Sequence, residues 1–467
     1  MIAPRLLLKR AVPFAIAIGI WFYPVPSGLT APAWHLFAIF ASAIISVLLG
    51  AFPLLTDSML AVGAVVLTGT ITPAQAYSGF ANASVLLVVV AFIVAQAVVK
   101  SGLGQRISLF MVSLFGGSSL GLAYSIVLTD AAIAPAFPSN TARGGVLFPI
   151  VLSVAKGAGS KPEDSEGRRL GGYLMFCAMA SLAVSSALWM TATSCNPIGV
   201  QIAEKAGLKI GFGKWFLASS VPSLLAILTL PLLVAKLFPP RAGATPDAPA
   251  AARKALAGMG RMSRDEWITA VVFVAMVGGW VIGSALNLNG TSVAFMGFGV
   301  LLVSGVLTLE DISKQGDTLC TFLWLAVLFA LSGQLNELGF MGYVGERLAS
   351  YVGGLSWPAL YVALIAIYVG IHYMFVSQTS QVLALFGVFL DVGMRGGVPV
   401  PLMAFGLLFA SSYFSVITPQ GGSQNIIFVT SGYLKQGELY KLGLLTTLAF
   451  LAVYLLIGSP WVYFVTR

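Results

Sequence analysis

Eight stretches of this chain hold no Asp, Glu, Lys or Arg: residues 11–56, 58–99, 107–129, 171–195, 215–235, 267–309, 357–390 and 443–466. Each can cross the hydrocarbon core of a bilayer, which takes about 20 apolar residues as a helix. The longer runs have to fold back at breaks such as Pro24-Val25-Pro26, and the length rule then gives about 11 crossings. Backbone amides in lipid must be satisfied within one helix or in a closed barrel, and period-2 alternation is scarce here. The expected fold is therefore an all-α polytopic membrane protein. With 58% hydrophobic and 9% charged residues, a soluble multidomain protein is excluded.

The formal charge of +9 does not point to nucleic acid. Lys236, Arg241, Arg253, Lys254, Arg261 and Arg264 lie in one connector, where positive-inside retention explains them. The same rule puts the N-terminus, with Arg5, Lys9 and Arg10, and the loops 156–169 and 236–266 on the cytoplasmic side of a bacterial-type inner membrane. The apolar run after Arg10 reads as a first membrane helix and not as a cleaved signal. Cys177, Cys195 and Cys320 are odd in number and lack metal-ligand spacing, so neither a disulfide framework nor a zinc site is expected. No Walker loop, GxSxG elbow or HExxH pair occurs, which leaves no cofactor to expect and ion or solute gradients as the energy source.

The connector 239–266, with Pro239-Pro240 and an Ala/Pro-rich stretch, separates two halves, 1–238 and 267–467. Each half has two polar breaks in apolar sequence: Pro138–Gly145 and Thr191–Pro197 in the first, Ser377–Gln381 and Thr418–Asn425 in the second. Matching Ser139 with Ser380 gives a spacing of 241 residues, and matching Asn196 with Asn425 gives 229. Paired breaks of this kind are expected of an inverted repeat with two re-entrant helical hairpins, their tips near 138–145 and 377–382. Irregular backbone at membrane depth survives only where it is buried in protein or lines a cavity, so the breaks are the candidate transport site. The plainer alternative, a Ser/Thr-rich helix-packing face, loses ground when four breaks stand two by two.

Helix ends at such breaks offer unpaired N–H groups and a positive dipole end to an anion, while unwound carbonyls suit a cation. The sign of the ligand stays open on this ground. Arg143 is one of few cations in apolar sequence and is a candidate carboxylate partner, with a salt bridge to Asp130 as its structural alternative. His372 is a candidate proton sensor or, more simply, a packed imidazole. Asp391 and Arg395 mark the second hairpin's exit to water. An anion channel would need a continuous pore, against which dead-end breaks count. An intramembrane enzyme would need a nucleophile and base at fixed spacing, and the chain has only His35 and His372 as histidines.

The string APAFPSNTARGGVLFPI at 134–150 resembles the divalent anion:sodium symporter family, nearest within it to bacterial citrate/succinate and tartrate/succinate exchangers and chloroplast 2-oxoglutarate/malate translocators. The likeness runs over nearly the whole chain, through IWFYPVPSGLTAPAWHLFAIF, SGLGQRISLF, MSRDEW, ITPQGG and SGYLKQGELYKLG. It implies two hairpin tips that jointly hold substrate carboxylates: Ser139, Asn140 and Thr141 in the first, and Ser380 and Gln381, with Ser377 and Thr379 nearby, in the second, where Val382 replaces the expected Thr. It also implies cavity lining by Cys195, Asn196 and Pro197 and by Thr418, Pro419 and Gly421, a homodimer embedded in lipid, and an elevator-type alternating-access mechanism. Sodium-coupled members bind Na⁺ beside each tip, exchangers do without it, and the SNTAR wording leans towards exchange. The expected function is secondary transport of di- or tricarboxylates such as malate, 2-oxoglutarate, succinate or citrate, by exchange or, alternatively, by sodium-coupled symport.

Overall fold

A computed structural model describes residues 4–164, 168–240, 245–286, 288–352, 354–375, 377–419 and 421–467, so Arg241 and Gln420 lie outside the described residues. Among the described residues every regular element is helical. Nine helices among the described residues are long and apolar enough to cross a membrane, and four shorter apolar helices, at 54–67, 103–115, 290–303 and 400–416, accompany them. The chain is an all-α, multi-pass membrane protein.

The most buried helix is Arg168–Leu188, in which every residue from Leu170 onward is buried. Its Gly171, Gly172, Ala178, Ala180, Ser181, Ala183, Ser185, Ser186 and Ala187 keep the backbone accessible to neighbours, the usual means of close helix approach in lipid. It packs against Ser119–Ile133, Asn140–Gly157 and Phe212–Leu237, and against Val400–Tyr413, the other strongly buried helix. Both helices lead directly into a break.

The first hairpin runs up Ser119–Ile133, through a tight turn at Ala134–Ala136 and an extended Phe137, and down Asn140–Gly157. Ser139 caps the second arm with extended backbone (φ −141°, ψ 121°), its Oγ accepting from the Ala142 amide at 3.2 Å. The second hairpin repeats this path: Trp357–Ile371, a tight turn at His372–Met374, an extended Phe375, then Ser377 (φ −146°, ψ 124°) accepting from the Ser380 amide. Its second arm continues through Gln378–Gln381, a π-turn at Val382–Phe386 and Gly387–Arg395.

These caps correct the expected register of the second tip. The residue equivalent to Ser139 is Ser377, a spacing of 238 residues and not 241, so the tip reads Ser377-Gln378-Thr379. Thr379 supplies the hydroxyl whose absence Val382 suggested, and Ser380 and Gln381 lie deeper in the first turn. The slip arose because Ser-Gln occurs twice, three residues apart, and only backbone dihedrals tell which copy is the cap.

The connector is not a plain linker. It contains a helix, Asp247–Met259, which packs on Leu103–Phe115. Thr245 Oγ1 donates to Gly116 O at 2.7 Å, and Arg106 grips Glu266 through Nε (2.6 Å) and Nη2 (3.1 Å).

The helix Gln436–Val453 presses on the second break through Gly443, where an added Cβ would stand 2.1 Å from Val416 O. Gly443→Ala is expected to destabilise the fold by about 1–3 kcal/mol. Gly437→Ala on the same helix, where nothing lies within 4 Å, is expected to be neutral or better. Thermal unfolding of both variants in detergent checks this.

Candidate binding site

A helix broken inside a membrane leaves carbonyls and amides unpaired, and this chain closes them the same way in both halves. Asn196 Nδ2 donates to Ser186 O (2.7 Å) and Trp189 O (3.2 Å), and Asn425 Nδ2 donates to Ser415 O (2.7 Å) and Thr418 O (3.0 Å). Each asparagine thus reaches back ten and seven residues, and the two are 229 residues apart, as the sequence spacing predicts. The helices Cys195–Lys205 and Ser423–Val429 start at these points.

The four breaks meet crosswise. Thr141 of the first tip bonds Ser423 after the second break (Oγ1 to Oγ, 2.5 Å), and Thr379 of the second tip bonds Ser194 of the first break (3.2 Å). Those pairs are equivalents: 141 and 379 differ by 238 residues, 194 and 423 by 229. The tips themselves are joined by Asn140 Nδ2 donating to Gln378 Oε1 at 3.3 Å.

Between them lies a cavity of about 80 Å³, walled by Ser139, Asn140 and Thr141, by Ser377, Gln378 and Thr379, and by Thr193, Ser194, Gly422, Ser423 and Gln424. Among the described residues its walls carry hydroxyls, amides and glycine but no charge. The N-terminal ends of Asn140–Gly157 and Cys195–Lys205, and of the arm beginning at Gln378, converge on it, so N–H donors and positive dipole ends favour an anion.

Arg143 does not line the cavity. Fully buried, it pairs with the equally buried Asp130 on the other arm (Nε to Oδ1, 2.9 Å), whose Oδ2 accepts from Ser185 Oγ at 2.7 Å. Its Nη2 donates to Asn140 Oδ1 (2.9 Å), and Ser186 Oγ donates to the same oxygen (2.6 Å). A guanidinium has donors only, so Asn140 must turn its oxygen to Arg143 and its amide nitrogen to the opposite tip. Gln378 is fixed likewise, because its Nε2 donates to Ser411 O at 2.7 Å.

Gln381 stands 238 residues after Arg143 and is also withdrawn behind its tip. Its Nε2 donates to Tyr368 O (2.7 Å) and its Oε1 faces His372 Nδ1 (2.7 Å). His372 Nε2 faces Gly421 O (2.6 Å), and the ring stacks on Phe414 at 3.7 Å. The ring thus bridges Gln381 to the second break through both nitrogens.

The other candidates divide. Ser139, Asn140, Thr141, Ser377 and Thr379 line the cavity. Cys195 and Asn196 are buried in the first break, and Pro197 faces a separate space beside Trp280 and Glu204. Ser380 is buried within the arm, while Thr418, Pro419 and Gly421 shape the second break without reaching the cavity. Gln378, Gln424, Thr193, Ser194, Gly422 and Ser423 lie within the breaks but were not singled out as binding residues; the 238-residue spacing identifies Gln378 as the partner of Asn140. No group of three or more His, Cys, Asp or Glu that could hold a metal occurs among the described residues.

A model of the family described as sodium:sulfate symporter transmembrane region matches residues 5–466. The chain is 36% identical to the chloroplastic dicarboxylate transporter 1 of Spinacia oleracea, covering 95% of this chain and 78% of that protein. It is 30% identical to the citrate/succinate antiporter of Escherichia coli, over 97% of each. Its fold matches the crystal structure of the Alcanivorax borkumensis YdaH transporter with a TM-score of 0.59 at 16% identity, over 98% of each chain.

Removing one partner of a buried ion pair strands the other charge. Asp130→Asn is expected to cost about 3–5 kcal/mol, and the double replacement Asp130→Leu with Arg143→Met to recover much of that. Thermal midpoints of the purified variants in detergent measure both.

Proposed function

The chain belongs to the sodium:sulfate symporter family, and from that premise we propose that it is a secondary transporter exchanging small di- or tricarboxylate anions such as malate, 2-oxoglutarate, succinate or citrate. The observation that carries this reading is the uncharged polar cavity closed by Asn140–Gln378, Thr141–Ser423 and Thr379–Ser194. N–H and O–H donors attract carboxylates yet let them go, whereas a cation in the wall would hold them. The names of the spinach and Escherichia coli relatives support the carboxylate class.

Exchange is favoured over sodium coupling by what stands behind the tips. Arg143, paired with Asp130, backs the first, and His372 backs the second with a ring wedged between Gln381 Oε1 and Gly421 O. Both places are thus filled by the protein's own groups, and the return stroke is made with a second anion in the cavity. Sodium-coupled symport is the competing reading, supported by the sodium named in the family description.

In this reading the halves 1–238 and 267–467 are inverted repeats, each hairpin re-entrant, with the N-terminus and residues 239–266 cytoplasmic in an inner membrane. The protein works as a homodimer in which the tips and breaks move together past a fixed scaffold.

Purified protein in liposomes preloaded with malate, 2-oxoglutarate, succinate, citrate or nothing tests the proposal. Uptake only into loaded vesicles, indifferent to Na⁺, is the expected result; Na⁺-dependent uptake into empty vesicles establishes symport instead. Asn140→Ala and Gln378→Ala are each expected to lower exchange about tenfold or more at normal yield of folded protein, the loss of one hydrogen bond to a charged group. Unchanged kinetics in both would remove the tips from the site.

A further inference from the structure

The two ends of the cavity are built on the same plan except at two pairs of positions. Ser139 matches Ser377, the Asn140 amide matches that of Gln378, and Thr141 matches Thr379. Past the breaks, the 229-residue spacing sets Thr193 and Cys195 against Gly422 and Gln424.

In the first half, Thr193 presents its side chain to the cavity, and Cys195 is withdrawn, its Sγ 3.5 Å from Thr193 Oγ1. In the second half, Gly422 has no side chain and the Gln424 amide folds into the vacated space, where a Cβ on residue 422 would stand 2.3 Å from Gln424 Nε2. Gln424 is 99% buried, since its relative exposure is 1%, and its Nε2 has no partner among the described residues. Glycine and glutamine thus act together to place a two-proton donor in one end of the cavity only.

We propose that Gln424 is a specificity-determining residue that makes the site prefer dicarboxylates bearing an oxygen on the carbon next to one carboxylate. This rests on the reading of the cavity as a carboxylate site. A ligand with two plain ends can satisfy the tips but leaves the Gln424 amide buried and unpaired, while a 2-hydroxy or 2-oxo group gives it an acceptor. Sites built to hydrogen-bond a substrate oxygen discriminate strongly against the analogue without it, because the stranded donor bears the cost. The asymmetry also orients the ligand, the substituted end lying towards Gly422.

Malate and succinate differ by a single hydroxyl and are the probes. In proteoliposome counterflow, the unaltered protein is expected to half-saturate with malate at a concentration about tenfold lower than with succinate. Gln424→Leu, which keeps the bulk and removes the donor, is expected to bring that ratio to about one, mainly through loss of malate affinity. Equal half-saturation by the two acids in the unaltered protein, or a ratio that Gln424→Leu leaves in place, overturns the proposal. The ratio in the unaltered protein decides the matter even where the variant does not fold. An unaltered protein that carries citrate or 2-oxoglutarate but neither of these two acids overturns this proposal alone, and one that carries none of the four overturns the carboxylate reading itself.

Discussion

Lipid offers no hydrogen bonds, so a helix interrupted at membrane depth holds only if the protein supplies partners for the groups it frees. Asn196 and Asn425 do this for the carbonyl ends, and Ser139 and Ser377 for the amide ends. With their backbones satisfied from behind, the breaks are free to face one another. The second arm of each hairpin packs on the short helix that follows the other half's break, Asn140–Gly157 on Ser423–Val429 and Val382–Phe386 on Cys195–Lys205. The polar cavity is what remains between four ends held in this way.

Charge is kept one layer back. The Arg143–Asp130 pair is wholly buried, and its geometry shows a positioning role: the guanidinium holds one atom of Asn140 so that the other points across the site. In the second half the same place is taken by an amide and an imidazole, Gln381 and His372. Neutral donors touch the cavity, while an ion pair behind one tip and a buried imidazole behind the other hold those donors in place.

Much of this was legible in the sequence, and the gaps have physical causes. The charge-free runs fixed the helical membrane class, and the break pair at Asn196 and Asn425 could be matched because one distinctive residue does one job in each half. The second tip could not be registered, since Ser377-Gln378 and Ser380-Gln381 look alike until the cap dihedrals separate them. Arg143 left two roles open, because only folding brings Asp130 to it from the opposite arm. Gln424 lay inside the break Thr418–Asn425 with nothing to single it out: its significance lies in what stands at the equivalent position of the other half, which becomes visible only once both spacings are known.

The π-turn at Val382–Phe386 has no counterpart in Asn140–Gly157. A π-turn accommodates one residue more than an α-turn, so everything beyond Phe386 is rotated by about 100° relative to the first hairpin. Ser332 Oγ donates to Leu383 O at 2.9 Å, anchoring the widened turn to a neighbouring helix. The 238-residue spacing nevertheless runs on to the ends of both arms, where Gly159 and Gly397 each take a positive φ (79° and 80°) and donate to Lys156 O and Met394 O. The two arms therefore start and stop alike, and the widened turn changes only the sides that the outer part of the second arm offers to its surroundings.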